Sequence, residues 1–140
     1  MMTKLNPYLT FDGACEAAFQ HYKAILGGEV VTVMRWKDMP RMEGATIPEG
    51  WADKVMHSEL IFDGGRVMGS DSPPGQRQQP AGITVTLSVE TPQEADRIFA
   101  GLVEGGSVRM PIGETFFSKR FGMLTDQFGV PWMVVCEEHP

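Results

Sequence analysis

The sequence predicts an α+β fold in which two β-α-β-β-β modules form a curved, mostly antiparallel eight-stranded sheet around a cleft, with the helices outside. The first observation is an internal repeat, because residues 94–108 match residues 16–30 at a Glu-Ala opening, a Gly-Gly pair and a following Val. Such a repeat defines the architectural unit. The second observation is that each copy joins a helical apolar stripe to segments with strand-like alternation. One helix then covers one face of each sheet, which leaves the other faces to border the cleft.

Size and charge fit a single globular domain and argue against several classes of partner. We interpret residues 4–71 as the first module, residues 72–80 as a linker rich in Pro and Gln, and residues 81–138 as the second module of one 140-residue domain. The net charge of −6 without a basic run argues against a nucleic-acid partner. Neither a signal segment nor a membrane-spanning run is evident. Cys15 and Cys136 fit no disulfide framework, so we expect reduced thiols in a cytoplasmic protein.

The first module begins with a predicted half-buried strand at residues 5–11, with Leu5, Leu9 and Phe11 facing inward and Asn6 and Tyr8 on the opposite face. A helix is predicted over residues 14–26 from its apolar stripe. The pair Gly27-Gly28 ends it, since glycine adopts the left-handed cap conformation without steric cost.

Further strands are predicted at residues 29–36, 54–62 and 66–71, the last two joined by the turn Asp63-Gly64-Gly65. Residues 37–53 are predicted to form a long loop that contains several large apolar residues, namely Met39, Met42, Ile47 and Trp51. Such a loop is typical of a functional segment or an interface, and the alternative is a loop folded onto its own core.

The second module repeats the order. Residues 83–89 are a predicted strand with Ile83 and Leu87 inward. The segment Thr91-Pro92-Gln93-Glu94 is a capping box with proline at the first helical position, so it predicts a helix start. After the stop at Gly105-Gly106, strands are predicted at residues 107–111, 117–124 and 131–137.

This element order and several local motifs resemble the vicinal oxygen chelate (glyoxalase/bleomycin-resistance) superfamily, and more narrowly its PhnB-like branch, which is also labelled 3-demethylubiquinone 3-methyltransferase-like. No two glycines are spaced as Gly-x-Gly, so the usual nucleotide-type glycine loop is missing. The motifs that carry the resemblance cover nearly the whole chain: Pro7-Tyr8-Leu9-Thr10-Phe11, the helix of residues 17–28, Met56-His57-Ser58-Glu59-Leu60, Ser70-Asp71-Ser72-Pro73-Pro74 and Asp126-Gln127-Phe128-Gly129-Val130-Pro131-Trp132.

The resemblance implies a homodimer and a divalent-metal site with one ligand on each of four strands. Carried over strand by strand, the ligand positions fall at Asn6, at Met68 or Gly69, at Thr84 and at Met133. These side chains are poor ligands for Mg, Mn or Fe. We therefore expect no cofactor and no metal at the usual site. A divalent metal would have to bind at a different site in the protein.

The pair His57 and Glu59 is the strongest candidate for catalysis, because residues two apart on a strand project to one face at roughly 7 Å. A His beside a carboxylate suits acid–base chemistry or a makeshift metal site. The alternative is a half-exposed strand pair without a role. The candidate ligand-binding residues on the predicted cleft are Tyr8, Trp51, Thr84, Thr86 and Met133.

Two functions follow from these residues. The first is a metal-free protein that binds a small molecule in a cleft lined by Tyr8, by either Trp36 or Trp51, and by Trp132. The second is a metal-dependent or acid–base enzyme, of lyase, transferase or dioxygenase type, that uses His57 and Glu59. A cleft without a small-molecule role, with the dimer as the functional unit, is the third interpretation. Asp71 is either a substitute carboxylate or a turn cap, and Arg120 is a candidate anion contact.

Overall fold

The structure is a computed structural model that describes residues 2–39 and 46–137. Within them the chain forms two α-helices and eight strands, and the strands make two four-stranded sheets. The chain divides into two compact units, Met1–Gln78 and Gln79–Pro140, and each unit has the order β-α-β-β-β. The α+β class and the two repeated modules are therefore confirmed, with the eight strands shared between two separate sheets.

The first unit contains one helix packed on a mixed sheet. The spatial order of its strands is β1-β4-β3-β2. β1 pairs with β4 in parallel, whereas β2, β3 and β4 are joined by antiparallel pairing. The elements are β1 (Tyr8–Phe11), α1 (Cys15–Leu26), β2 (Glu29–Arg35), β3 (Val55–Phe62) and β4 (Gly65–Asp71), with a short 3-10 helix at Trp36–Asp38.

Helix α1 forms where the apolar residues recur at helical spacing, and this stripe is its buried face. Phe19 and Tyr22 on this stripe are 1% and 0% exposed. A Cβ added at Gly69 of β4 would lie 2.9 Å from the Phe19 ring, so glycine lets the helix approach the sheet closely. The face of the sheet that carries Gly69 and Leu60 is thus the one covered by α1.

The second unit has the same arrangement. Its strand order is β5-β8-β7-β6, with β5 parallel to β8 and the other pairs antiparallel. Helix α2 begins as predicted, because the Thr91 side chain accepts a hydrogen bond from the Glu94 N–H and Pro92 occupies the first turn. The elements are β5 (Val85–Val89), α2 (Pro92–Val103), β6 (Ser107–Gly113), β7 (Phe121–Thr125) and β8 (Pro131–Cys136).

Gly-Gly pairs end both helices, and their second members have a common packing role. A Cβ at Gly28 would lie 2.0 Å from the carbonyl oxygen of Ile61, and one at Gly106 would lie 2.2 Å from that of Thr125. No side chain fits such a distance to a backbone atom. The repeated glycine is therefore required by the close approach of the chain to the neighbouring strand as well as by the helix end.

Several predicted boundaries were wrong at strand starts. Leu5 and Ile83 were expected to face inward, but they are 98% and 77% exposed. Each precedes the point at which its strand meets a parallel partner, which is Tyr8 opposite Met68 in β1 and Val85 opposite Trp132 in β5. The alternation of apolar and polar residues in the sequence therefore extends beyond the residues that are hydrogen-bonded in the sheet. Met42, which was predicted to lie in loop 37–53, is outside the described residues.

Loop 37–53, in the part that is described, is closed at its base by backbone pairing. The N–H groups of Trp36 and Lys37 donate to the carbonyl oxygens of Lys54 and Ala52, both at 3.0 Å. No helix among the described residues is both long and apolar enough to cross a membrane.

Candidate functional site

The distal face of the first sheet, which we define as the face opposite α1, carries the main candidate residues. Strand pairing places Tyr8 beside Met68, Met68 beside Glu59, and Glu59 beside Thr32. Register partners project to the same face, so these four residues form one row across all four strands. His57 lies two residues from Glu59 on β3 and beside Met34 of β2. The expected grouping of Tyr8, His57 and Glu59 on one face is therefore present.

His57 lies between two partners on this face, because it contacts Tyr8 on one side and Glu59 on the other. The rings of Tyr8 and His57 are stacked, with centroids 5.8 Å apart and planes 27° from parallel. The Tyr8 hydroxyl lies 3.4 Å from Nδ1 of His57. Nε2 of His57 lies 3.5 Å from Oε1 of Glu59. Tyr8 is 47% exposed, and the side chains of His57 and Glu59 are 26% and 20% exposed. The three groups thus form a chain that begins at the surface and ends at a partly buried carboxylate.

The protonation state of His57 sets the direction of hydrogen bonding along this chain. When the imidazole is neutral and Nε2 carries the proton, Nε2–H faces Oε1 of Glu59 at 3.5 Å and Nδ1 accepts from the Tyr8 hydroxyl. When the imidazole is protonated, both ring nitrogens donate, and the phenol oxygen becomes the acceptor. Tyr8 is consequently able to present either a lone pair or a proton toward a bound molecule. Such adaptability suits polar ligands and acid–base chemistry.

The distal face of the second sheet, opposite α2, contains two of the other predicted residues. Thr86 of β5 pairs with Met133 of β8, and Thr86 Oγ1 lies 3.7 Å from Met133 Sδ. Met123 and Met110 continue the same row on β7 and β6. Thr84 precedes the start of β5. Sequence alternation placed Thr86 and Met133 on one face, but it gave no sign that a methionine row continues beside them.

The tryptophans are more buried than side chains that line an open cleft would be. Trp132 is 0% exposed, and its indole N–H donates to the buried carboxylate of Asp126 at 2.8 Å. Its expected role in lining a cleft was wrong, because Trp132 faces α2 and belongs to the core. Trp36 donates its indole N–H to the carbonyl oxygen of Asp71 at 3.2 Å. Trp51 is 9% exposed, so little of its surface remains for a ligand.

Asp71 is a structural carboxylate. It is 1% exposed, and Oδ1 accepts the backbone N–H groups of Gly13 and Cys15 at 2.9 Å each. Oδ2 accepts the N–H of Val55 at 3.0 Å. Because Ala14 supplies no side-chain cap, Asp71 caps α1 from across the chain and joins it to β3. The sequence predicted a local turn cap or a substitute carboxylate for Asp71, whereas the groups that it caps are distant backbone N–H groups.

Surface charges stabilise the ends of loop 37–53. Arg35 donates to both carboxylate oxygens of Glu16, at 3.3 and 2.8 Å, and to the carbonyl oxygen of Asp53 at 2.8 Å. The hydrogen bond from Arg35 holds the pKa of Glu16 below its usual value. In the same way, the Lys37 ammonium at 2.8 Å lowers the pKa of Asp53. In the second unit, Arg120 pairs with Asp96 at 3.2 Å, so part of its guanidinium is already engaged.

The donor set does not fit the superfamily's usual metal. Within residues 2–39 and 46–137, no three His, Cys, Asp or Glu side chains are grouped so as to hold a metal ion. At the strand positions that the resemblance indicates, Asn6, Thr84 and the thioethers of Met68 and Met133 provide no carboxylate or imidazole. Hard divalent ions bind weakly to such donors.

Comparison with known proteins gives matches over nearly the whole chain. A family model described as 3-demethylubiquinone-9 3-methyltransferase matches residues 3–135. Protein YjdN of Escherichia coli (strain K12) is 32% identical, with 97% of each chain covered. The crystal structure of protein PA1353 from Pseudomonas aeruginosa is 41% identical, with a TM-score of 0.87 over 97% of this chain and 98% of the other.

More distant structures share the architecture. A putative 3-demethylubiquinone-9 3-methyltransferase, PhnB protein, from Bacillus cereus is 27% identical, with a TM-score of 0.78 over 96% of this chain and 99% of the other. Glyoxalase/bleomycin resistance proteins of known structure are similar at 16% identity and a TM-score of 0.66, which shows a common fold.

Proposed function

The chain belongs to the family described as 3-demethylubiquinone-9 3-methyltransferase, the PhnB-like branch of the vicinal oxygen chelate superfamily, and we propose that this member binds a small polar molecule without the superfamily's usual metal. The observation that carries the proposal is the contact chain Tyr8–His57–Glu59 on the distal face of the first sheet. A few convergent polar groups on an otherwise apolar surface are typical of small-molecule sites.

The chemistry of this face favours a ligand that both donates and accepts hydrogen bonds. The Tyr8 hydroxyl changes between donor and acceptor with the protonation of His57, while the stacked rings offer a flat apolar surface beside it. Met68, between Tyr8 and Glu59 in register, supplies a flexible apolar contact. Thr84, Thr86 and Met133 remain proposed ligand contacts, and Trp51 remains one only through its small exposed surface.

The family description refers to methyl transfer, and two features favour binding over that reaction. The sequence has no Gly-x-Gly spacing, so the glycine loop that commonly receives a nucleotide-type cofactor is missing. The superfamily's metal positions also carry side chains that suit no hard cation. We therefore propose a ligand held by side chains alone.

Thermal shift with a panel of polar metabolites in the presence of EDTA tests the binding proposal. A ligand at about 100 times its Kd adds about 2.7 kcal/mol to stability, which raises the melting point by several degrees. Tyr8→Phe and His57→Gln should weaken binding by about tenfold each and leave the unliganded melting point nearly unchanged, because both groups are partly exposed. Glu29→Gln, at an exposed position of β2, is the matched control.

Two results would contradict the proposal. One is that no polar metabolite raises the melting point under these conditions. The other is that a ligand binds equally well to the wild type and to both site variants.

Acid–base catalysis with His57 and Glu59 is the second candidate function, and the same contact chain favours it. Glu59 orients the imidazole through Nε2, and Nδ1 is then placed to take the Tyr8 proton. Exchange of carbon-bound hydrogen in D2O, followed by NMR for each ligand found above, separates this candidate from binding alone. Exchange that is lost in Glu59→Gln while the ligand still binds supports catalysis, and no exchange in the wild type argues against it.

We also propose a cytoplasmic homodimer. Large apolar side chains on β2 and β6, which are edge strands of their sheets, are 40–51% exposed: Val31, Val33, Met34 and Val108. A twofold pairing is the commonest way to cover such surface. Light scattering should give twice the mass of the 15.5 kDa chain, and a monomer at micromolar concentration would exclude the dimer.

A further inference from the structure

Three methionines lie side by side on the distal face of the second sheet. Met110 of β6 pairs with Met123 of β7, and Met123 pairs with Met133 of β8. Neighbouring strands are about 4.8 Å apart, and register partners project to the same face. A methionine side chain is longer than this spacing and has three rotatable bonds, so the three sulfur atoms are able to converge on one point.

An irregularity in β6 is what brings Met110 into this row. Val108 pairs with Leu124, and regular antiparallel pairing would next place Arg109 opposite Met123. The register shift between Val108 and Met110 instead places Met110 there. Bulges commonly re-aim one side chain in this way. The consequence is that a thioether, and not a guanidinium, stands beside Met123.

The row is reachable from solvent and partly desolvated. Met110 is 43% exposed, whereas Met123 and Met133 are half-buried. The Thr86 hydroxyl, 3.7 Å from Met133 Sδ, donates one weak hydrogen bond that orients the thioether. That bond leaves sulfur lone-pair density for another partner.

We propose that Met110, Met123 and Met133 form a thioether site for a soft monovalent cation, Cu(I). Thioether sulfur selects Cu(I) over hard divalent ions, and three neutral ligands on one face suit its low coordination number. The net charge of −6 favours a cation near the protein. The site goes beyond the proposed ligand contact of Met133, because its occupant is a metal ion.

The first sheet provides an internal control. Its distal face also carries methionines, but Met68 lies between Tyr8 and Glu59, and Met34 lies beside His57. Neither is a register partner of another methionine in the pairs of that sheet. Met68→Leu therefore removes one thioether from a similar surface without touching the proposed site.

Anaerobic titration of the full-length protein with Cu(I), in competition with a chromophoric Cu(I) chelator, tests the proposal. We expect one equivalent to bind, and Met123→Leu and Met133→Leu to lower the affinity by at least about tenfold, since each removes one of three ligands. Leu conserves side-chain volume, so the fold is retained. Met68→Leu should match the wild type.

A second measurement separates thioether from thiol binding, because Cu(I) also binds thiols and the protein has two free, buried cysteines, Cys15 and Cys136. With 13C-methyl-labelled methionine and the redox-inert ion Ag(I), the shifts should be confined to the methyl signals of Met110, Met123 and Met133. Absence of stoichiometric binding would overturn the site. Binding without these methyl shifts, or affinity equally reduced by Met68→Leu, would do the same.

Discussion

The carboxylate of Asp71, at the end of β4, accepts the backbone N–H of Cys15, the first residue of α1, at 2.9 Å. The bond spans 56 residues of sequence and is buried. The same side chain also satisfies the N–H groups of Gly13 and Val55. One carboxylate therefore fixes the start of the helix, the end of β1 and the start of β3 relative to one another.

Replacing Asp71 should destabilise the protein strongly. Asp71→Ala leaves three backbone N–H groups buried without an acceptor, so we expect a loss of at least about 3 kcal/mol in the free energy of unfolding. Asp71→Asn keeps one oxygen and should cost about 2 kcal/mol. Urea unfolding measures both, with the exposed Asp12→Asn as the control. Equal stability of Asp71→Ala and the wild type would refute the role of this cap.

The Gly27-Gly28 pair offers a direct test of its two different functions. Gly27→Ala meets no atom within 4 Å, but it keeps a φ of +77°, so we expect a cost of about 1 kcal/mol. Gly28→Ala places Cβ 2.0 Å from a backbone oxygen of β3, which cannot move aside, so the cost should be at least about 3 kcal/mol. Thermal unfolding of the two variants compares them. Similar melting points would show that the close approach to β3 is not essential.

The Cys15 thiol should be inert in the native state. Burial, together with the charges of Asp71 and Glu16, raises its pKa far above the usual range, and only the thiolate reacts. Because the folded pKa is raised, the contribution of the neutral thiol to stability is fully present below the unfolded pKa of about 8.5 and is lost as pH rises above it toward the folded pKa. We expect labelling by a disulfide reagent at pH 8 only as fast as the protein unfolds. Rapid labelling of Cys15 in native protein would contradict this prediction.

The Glu16–Arg35 pair should make loop anchoring sensitive to acid. The folded pKa of Glu16 is lowered, so its contribution is present above the unfolded pKa of about 4.3 and is lost as pH falls through the folded pKa. The effect is small because the Glu16 side chain is 56% exposed and solvent screens the pair. Glu16→Gln should be slightly less stable than the wild type at pH 7 and equal to it near pH 2, whereas the exposed Glu90→Gln should show no such convergence. A Glu16→Gln difference that persists unchanged at pH 2 would exclude this ion pair as its source.

The sequence by itself determined the fold class, the order of the helices and strands, and the residues at which the helices end, because these features depend on local patterns. The repeated Gly-Gly pairs, the Thr91 cap and the strand alternation of residues 55–62 each act over a few residues. Alternation also placed His57 and Glu59 on one face and opposite to Leu60, since a strand has a period of two. Family resemblance then followed from motifs spread along that order.

The tertiary structure decided what depends on pairing between distant segments. It fixed the Asp71 cap across 56 residues, and it began the parallel pairing of β1 at Tyr8 and that of β5 at Val85, which left Leu5 and Ile83 exposed. It also directed Trp132 into the core. The Tyr8–His57 contact and the methionine row of β6, β7 and β8 arise from register and from one bulge. Register between strands is set by the packing of the whole sheet, and no local stretch of sequence contains it.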